Sequence, residues 1–131
     1  MQRVAKVLNR AFEEELAEAG GSAPTWLILL SLKSGRPETQ RELAKAVGIQ
    51  GATMTHHLDA LEKAGLVTRS RDPENRRVQR VELTAEGDAA LHRLRKVAMK
   101  FDQRLREGLS EKELGQLSEL LDRLAANASS G

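Results

Sequence analysis

Apolar residues recur at helical spacing in the N-terminal part of the chain and predict two helices. The first runs from Val4 to Leu16 and ends near Gly20, with its apolar positions on one face. The second contains the run WLILL, which begins at Trp26 and follows a serine and a proline that suit a helix start. Because this second helix is apolar on nearly every side, we expect it to be buried at the centre of the fold.

Two short helices are predicted next. Thr39 and Glu42 form a capping box, in which each side chain can bond the backbone N–H of the other residue, and the helix that they open stops at Gly48. Apolar residues at spacings of four and three then define the inward face of the second helix: Met54, Leu58 and Leu61. Two short helices joined by a few residues, with a glycine at the turn, are typical of a helix-turn-helix.

The period of the pattern then changes from helix to strand. Residues 67–71 and 77–83 predict two strands, and the sequence DPEN between them has the composition of a turn. A strand, a turn and a returning strand directly after a helix-turn-helix form a β-hairpin wing. This hairpin is basic, because five arginines lie within residues 69–80.

Two long helices complete the pattern. Leucine, alanine and phenylalanine recur at spacings of three and four over residues 91–105, and four leucines continue this spacing over residues 114–124. Such narrow apolar seams resemble those of coiled coils. Ser110 and Glu113 form a second capping box between these two segments. The predicted fold class is therefore mainly α with a small β-hairpin wing: a winged helix-turn-helix core flanked by long dimerisation helices.

Composition limits the class of protein. The chain has 131 residues, enough for one domain with a core, and it contains no cysteine, which excludes disulfides and thiolate metal sites. It has no apolar run long enough for a membrane span and no signal-peptide pattern at its start. We therefore expect no membrane association and a cytoplasmic location.

The charge is unevenly distributed, although the net charge is only +2. Residues 33–80 hold ten basic and six acidic residues, whereas residues 1–32 and 81–131 each carry a net charge of −1. A basic middle segment is suited to a phosphate backbone. A solvated basic surface is an equally common explanation, so charge alone does not decide between them.

The adjacent residues His56 and His57 do not have the spacing of a metal site. Two histidines on one helix bind the same zinc ion when they are four residues apart, and these two point about 100° apart around a helix. His92 lies on another predicted helix, away from this pair. We find no nucleophile elbow, phosphate-binding loop or dinucleotide fingerprint. The sequence therefore predicts neither a metal, nor a cofactor, nor an enzyme.

Double-stranded DNA is the partner that these features favour. In a helix-turn-helix the second helix lies in the major groove, with its N-terminal residues at the base edges. The residues that face away from the predicted core are Gln50, Thr53, His56 and His57, with Thr55 at the boundary, and these five are the predicted major-groove contacts. The small residues Gly51 and Ala52 let the start of this helix approach DNA closely. Arginine at the hairpin tip can enter a narrow minor groove, for which we nominate Arg76 and Arg77 beside Asn75. The predicted phosphate contacts are Thr39, Arg41 and Arg69.

The sequence resembles the MarR family of winged-helix regulators. The resemblance is carried by residues 41–87, most specifically by DPENRR at residues 72–77 and VELTAEG at residues 81–87. It implies a single MarR-type domain over residues 1–131, with dimerisation helices at 1–20 and 88–128 and a winged helix-turn-helix at 22–87. It also implies a homodimer that binds a pseudopalindromic operator, usually as a repressor, and that releases DNA when a small-molecule effector binds.

The dimer has physical support, because the apolar seams of residues 91–124 and the apolar face of residues 4–16 exceed what one small winged helix can cover. The residues predicted to form the dimer contact are Val4, Leu8, Phe12, Leu114, Leu117, Leu121 and Leu124. The alternative function is a protein-interaction module, with the winged helix as a scaffold that has no operator of its own.

The sequence departs from the family pattern in three places. Asn75 stands where the wing usually carries an aspartate, so an aspartate pair with Arg77 is either lost or transferred to Asp72. The first helix is short. Aromatic residues are few, and Trp26 is the one candidate for an effector pocket, although a core role is favoured for it.

Overall fold

A computed structural model describes residues 1–35 and 39–130. The elements follow the predicted order, which confirms the fold class: α1 (Gln2–Glu18), α2 (Ala23–Ser34), α3 (Gln40–Val47), α4 (Gly51–Lys63), β1 (Val67–Arg71), β2 (Gln79–Leu83), α5 (Ala85–Arg106) and α6 (Glu111–Ser130). None of these helices, within the described part of the chain, is both long enough and apolar enough to cross a membrane.

Both predicted capping boxes lie at helix starts. The Thr39 hydroxyl accepts a hydrogen bond from the backbone N–H of Glu42 at 3.1 Å and donates to the Glu42 carboxylate at 2.9 Å. At α6, Ser110 and Glu113 bond each other's backbone N–H groups at 3.1 and 2.9 Å. The backbone N–H and then the hydroxyl of Ser110 lower the pKa of Glu113. These bonds satisfy N–H groups that a helix start otherwise leaves unpaired.

The hydrophobic core joins the helix-turn-helix to the helices on either side of it. Its fully buried members include Leu16 of α1, Ile28 and Leu29 of α2, and Leu94 of α5. Trp26 is half-buried and packs against this cluster, in agreement with a core role. The prediction that α2 is buried on every side is wrong in one respect, because Leu27 is 42% exposed.

The hairpin is antiparallel, with Val67 opposite Leu83 and Arg71 opposite Gln79. Thr39 forms an isolated antiparallel bridge with Arg80, so that the start of α3 pairs with the second strand of the hairpin. Val67 and Val81 are buried in the core cluster. The wing is therefore attached to the helix-turn-helix through both backbone pairing and apolar packing.

The chain divides into two compact units, residues 1–98 and 99–131. Ala90, Leu91 and Leu94, which lie in the segment predicted to serve dimerisation, are buried in the core of the first unit. In the second unit, no residue of α6 is buried. Several leucines of α6 are about half exposed: Leu117, Leu120, Leu121 and Leu124.

Candidate nucleic-acid interface

Helix α4 has one buried face and one exposed face. Met54 and Leu58 are fully buried, as the spacing predicts. On the other side Gln50, Thr53 and His56 are exposed, and His57 is half-buried. The sequence therefore identified the inward face of this helix correctly, and it follows that the exposed side chains are available to a partner.

The first turn of α4 is open. Gln50 is the N-cap residue and makes no capping hydrogen bond through its side chain. A Cβ atom added to Gly51 would meet nothing within 4 Å, so packing within the chain does not require glycine there. Helix N-termini carry unpaired N–H groups and partial positive charge, which suit a phosphate.

Thr55 is exposed, but its hydroxyl is already hydrogen-bonded. It donates to the backbone oxygen of Gly51 at 3.0 Å and accepts from the Gln40 side-chain amide at 2.6 Å. Sequence reasoning missed Gln40, because no periodic pattern relates two residues fifteen positions apart on different helices. The only local signal is its position directly after the Thr39 cap.

The two histidine rings lie with their centroids 6.2 Å apart and their planes tilted by 57°. Among the residues that the structure describes, no three histidine or carboxylate side chains are grouped so that they could hold a metal ion. His56 and His57 therefore stay as predicted DNA-facing residues of α4.

The tip of the wing is organised by Asp72 and Asn75. Asp72 accepts from the backbone N–H of Glu74 at 2.8 Å and from the Arg80 guanidinium at 2.9 Å. The backbone bond and then the guanidinium lower the pKa of Asp72. Asn75 accepts from the backbone N–H of Arg77 at 3.2 Å. The suggested transfer of the Arg77 pair to Asp72 is therefore wrong, because Asp72 pairs with Arg80, and Asn75 bonds the backbone of Arg77 instead.

Two arginines at this tip are exposed: Arg76 and Arg77. Within the described residues, neither guanidinium has a carboxylate within ion-pair distance. Their charges are therefore available to an external anion.

Arg69 is held by carboxylates of α4. Its guanidinium donates to Asp59 and, at 2.9 Å, to Glu62, and its side chain is only 17% exposed. The hydrogen bond that Arg69 donates to Glu62 is the main cause that raises the pKa of Arg69. The predicted phosphate contact of Arg69 would compete with these two carboxylates, so the geometry favours a role in fixing β1 to α4.

The other two predicted phosphate contacts differ from each other. The Thr39 hydroxyl is bonded to Glu42, as described above, whereas Arg41 is exposed. Both line a groove of about 640 Å³ between the starts of α3 and α4 and the wing. Gly51, Thr55, Asn75 and Arg77 line the same groove. The fold thus brings together residues from all three parts of the predicted interface.

The residues predicted to form the dimer contact are largely exposed in the single chain. In the first unit Val4 is 60% and Leu8 is 38% exposed, while Phe12 packs partly against the core. In the second unit Leu114 is half-buried, and Leu117, Leu121 and Leu124 are 48–50% exposed. Each of the two sets leaves an apolar face uncovered in its own unit.

Comparison with known proteins gives matches over most of the chain. The model of the MarR family matches residues 22–78. The transcriptional repressor CouR, solved bound to a 23-mer DNA duplex, is 31% identical over 95% of this chain and 88% of its own, with a TM-score of 0.85. A MarR mutant from E. coli, complexed with operator DNA, is 26% identical over 94% of this chain and 89% of its own, with a TM-score of 0.84. The PcaV transcriptional regulator from Streptomyces coelicolor, in complex with its natural ligand, is 25% identical over 95% of this chain and 91% of its own, with a TM-score of 0.81.

Proposed function

Because the chain belongs to the MarR family of DNA-binding transcriptional regulators, we propose that it binds a pseudopalindromic operator as a homodimer and represses transcription from it. The observation that carries this proposal is the exposed face of α4, on which Gln50, Thr53 and His56 lie opposite the buried Met54 and Leu58. Repression is supported by the similarity to CouR, which is itself a transcriptional repressor. Action on DNA implies a cytoplasmic location.

In this proposal the start of α4 enters the major groove. The Gln50 amide can both donate to and accept from adenine, and an imidazole can bond guanine N7 or a phosphate. The open first turn of α4 receives a phosphate through its N–H groups. Thr53, His56 and His57 are the base-reading candidates, and Arg41 contacts the backbone beside them.

The wing contributes the second contact. Arg76 and Arg77 enter the minor groove, where negative potential is enhanced when the groove is narrow. Asn75 holds the backbone of Arg77 and thereby sets the conformation of the tip. One or two contacts per wing are expected, because the other arginines of the hairpin have partners of their own.

Dimerisation uses the exposed apolar faces of α1 and α6. A two-fold dimer presents two copies of α4 about one helical turn of DNA apart, roughly 34 Å, which explains a pseudopalindromic site. Contiguous exposed leucines in a chain of this size indicate a protein interface. The proposal also includes release of DNA by a small-molecule effector, which the similarity to the ligand-bound PcaV supports.

A mobility-shift titration against the DNA upstream of the chain's own gene tests the proposal. We expect a salt-sensitive complex at submicromolar protein and a stoichiometry of two chains per site. A scrambled duplex of the same length serves as the control. Binding that is absent at micromolar protein, or equal on both duplexes, would instead favour a protein-interaction module.

A further inference from the structure

The side chain of Gln40 connects the first residue of α3 to α4. Its Nε2 atom donates to Thr55 Oγ1 at 2.6 Å, and Thr55 Oγ1 in turn donates to the backbone oxygen of Gly51 at 3.0 Å. Gly51 is the first residue of α4. This chain of two hydrogen bonds therefore runs from the start of α3 to the first turn of the helix proposed to read DNA.

These bonds restrict what the Thr55 hydroxyl can do. A hydroxyl has one proton to donate and two lone pairs to accept with. The proton is directed at Gly51 and one lone pair accepts from Gln40. A phosphate offers only acceptors, so Thr55 cannot bond a phosphate while its bond to Gly51 stands.

The backbone beside Gln40 is held in place by its neighbours. The preceding residue, Thr39, caps α3 through Glu42 and pairs with Arg80 of β2 through its backbone. Further into the two helices, Leu43 and Met54 are fully buried in the same core cluster. Residues 51–53, which precede Met54 in the first turn of α4, are exposed, and Gly51 lines the groove beside the wing. Gln40 thus reaches from a fixed point to the exposed end of α4.

We propose that Gln40 is a positioning residue for DNA recognition: through Thr55 it fixes the direction of the first turn of α4, and it does so without touching a base. Thr55 accordingly serves as the receiving end of this hydrogen bond rather than as a phosphate contact. The proposal rests on the proposed function, because it concerns how α4 is presented to an operator.

The test is a double-mutant cycle on DNA binding. The variants are Gln40→Ala, Thr55→Val and the double variant, with Thr55→Ser as the conservative replacement that keeps the hydroxyl. The probes are a duplex selected by the wild-type protein from random DNA and a scrambled duplex of the same length. Both side chains lie near the surface, so the variants are expected to fold, and circular dichroism checks this.

Each single variant should weaken binding to the selected duplex by about three- to tenfold, the range expected for one ordinary hydrogen bond. The affinity of the double variant should be no lower than that of the single variant with the lower affinity, since both changes remove the same hydrogen bond. Thr55→Ser should bind within about twofold of the wild type. Binding to the scrambled duplex should change little, because α4 is misdirected and no phosphate contact is lost.

A matched cycle with Thr53 provides the control. Thr53 lies on the exposed face of α4 and can be replaced by valine in the same way as Thr55. No described residue forms a hydrogen bond with the Thr53 side chain. The losses from Gln40→Ala and Thr53→Val should therefore multiply.

If the wild type binds its selected duplex, two outcomes would overturn this inference and leave the proposed function standing. The first is that the losses of affinity from Gln40→Ala and Thr55→Val multiply in the double variant. The second is that the losses are equal on the selected and scrambled duplexes. A wild type that selects no sequence at all would remove the proposed function, and this inference with it. The wild-type arm separates that failure from the other two.

Discussion

Helices α4 and α6 carry apolar residues at the same spacings of three and four, yet their surroundings differ. In α4 Met54 and Leu58 are completely buried within the chain. In α6 no residue is buried, and Leu121 is 50% exposed. The same periodicity therefore identifies an apolar face in both helices, but it does not tell whether that face is covered by the same chain or by another one.

The two helices contribute to the stability of the protein in different ways. The winged helix-turn-helix buries its core within a single chain, so its stability is a property of that chain. In the proposed dimer, the apolar face of α6 gains stability when the partner covers it, which makes the gain depend on protein concentration. Substitutions in the two helices should therefore differ in kind as well as in size.

The largest effect is expected from Leu58→Ala in α4. Removing a fully buried leucine side chain leaves a cavity and should lower the free energy of unfolding by about 2–5 kcal/mol. Urea unfolding should show this loss at every protein concentration. Leu121→Ala is the matched change in α6 and should cost less at low than at high protein concentration, because Leu121 is covered only in the proposed dimer. Losses from Leu58→Ala that shrink on dilution would contradict the contrast.

Leu121→Asp should disrupt the dimer. A charge on the apolar face of α6 has to be desolvated when that face is covered, so sedimentation should detect monomers. Operator affinity should fall on the order of a hundredfold, because two linked half-sites become two separate ones. Ser118→Asp places the same charge at a polar position of α6 and should leave the dimer intact. A dimer that survives Leu121→Asp would show that α6 is not the interface.

His56→Ala should reduce operator binding by about 1–3 kcal/mol if the imidazole reads a base. Binding to scrambled DNA should change much less. His92→Ala removes an exposed histidine from α5 and serves as the matched control, with no expected effect on either duplex. Equal losses on both duplexes would make His56 a phosphate contact.

Arg77→Ala should lower the slope of log affinity against log salt by about 1, as expected for one lost phosphate neutralisation. The slope is measured by titrations at several salt concentrations. Arg123→Ala removes an exposed arginine from α6 and should leave the slope unchanged. An unchanged slope for Arg77→Ala would give that arginine a structural role in the wing.

The smallest effect concerns the ion pair within the wing. The pKa of Asp72 is lowered in the folded state, so its contribution to stability is present above the ordinary value of 3.8 and is lost as the pH falls through the lower folded-state pKa. The urea midpoints of wild type and Asp72→Asn should therefore converge as the solution is acidified below 3.8. A difference between the two midpoints that stays constant on acidification would contradict this expectation.

The sequence was sufficient for features that depend on local spacing. The order of helices and strands, the caps at Thr39 and Ser110, and the inward face of α4 each depend on residues within one element, and all were predicted. The burial of Leu91 and Leu94 in the winged-helix core was not predicted. Apolar residues at spacings of three and four look the same in a sequence whether they pack within the chain or against a second chain.

The side-chain partners could not be predicted for a related reason. Arg69 meets Asp59 and Glu62 only because β1 folds back along α4, and Asp72 meets Arg80 only because the hairpin pairs in one register. These contacts depend on how elements are arranged in space, which a pattern along one element does not contain. They matter here because they decide which of the predicted basic residues remain available to DNA.

Trp26 allows the first unit to be followed separately by fluorescence. The sequence contains a single tryptophan and no tyrosine, and that tryptophan is half-buried against the winged-helix core. Its fluorescence therefore reports the solvation of the first unit without interference from other strong emitters, whereas circular dichroism sums over the helices of both units. Unfolding curves recorded by the two methods can be overlaid: coincident curves indicate one cooperative transition, and separated curves give each unit its own stability.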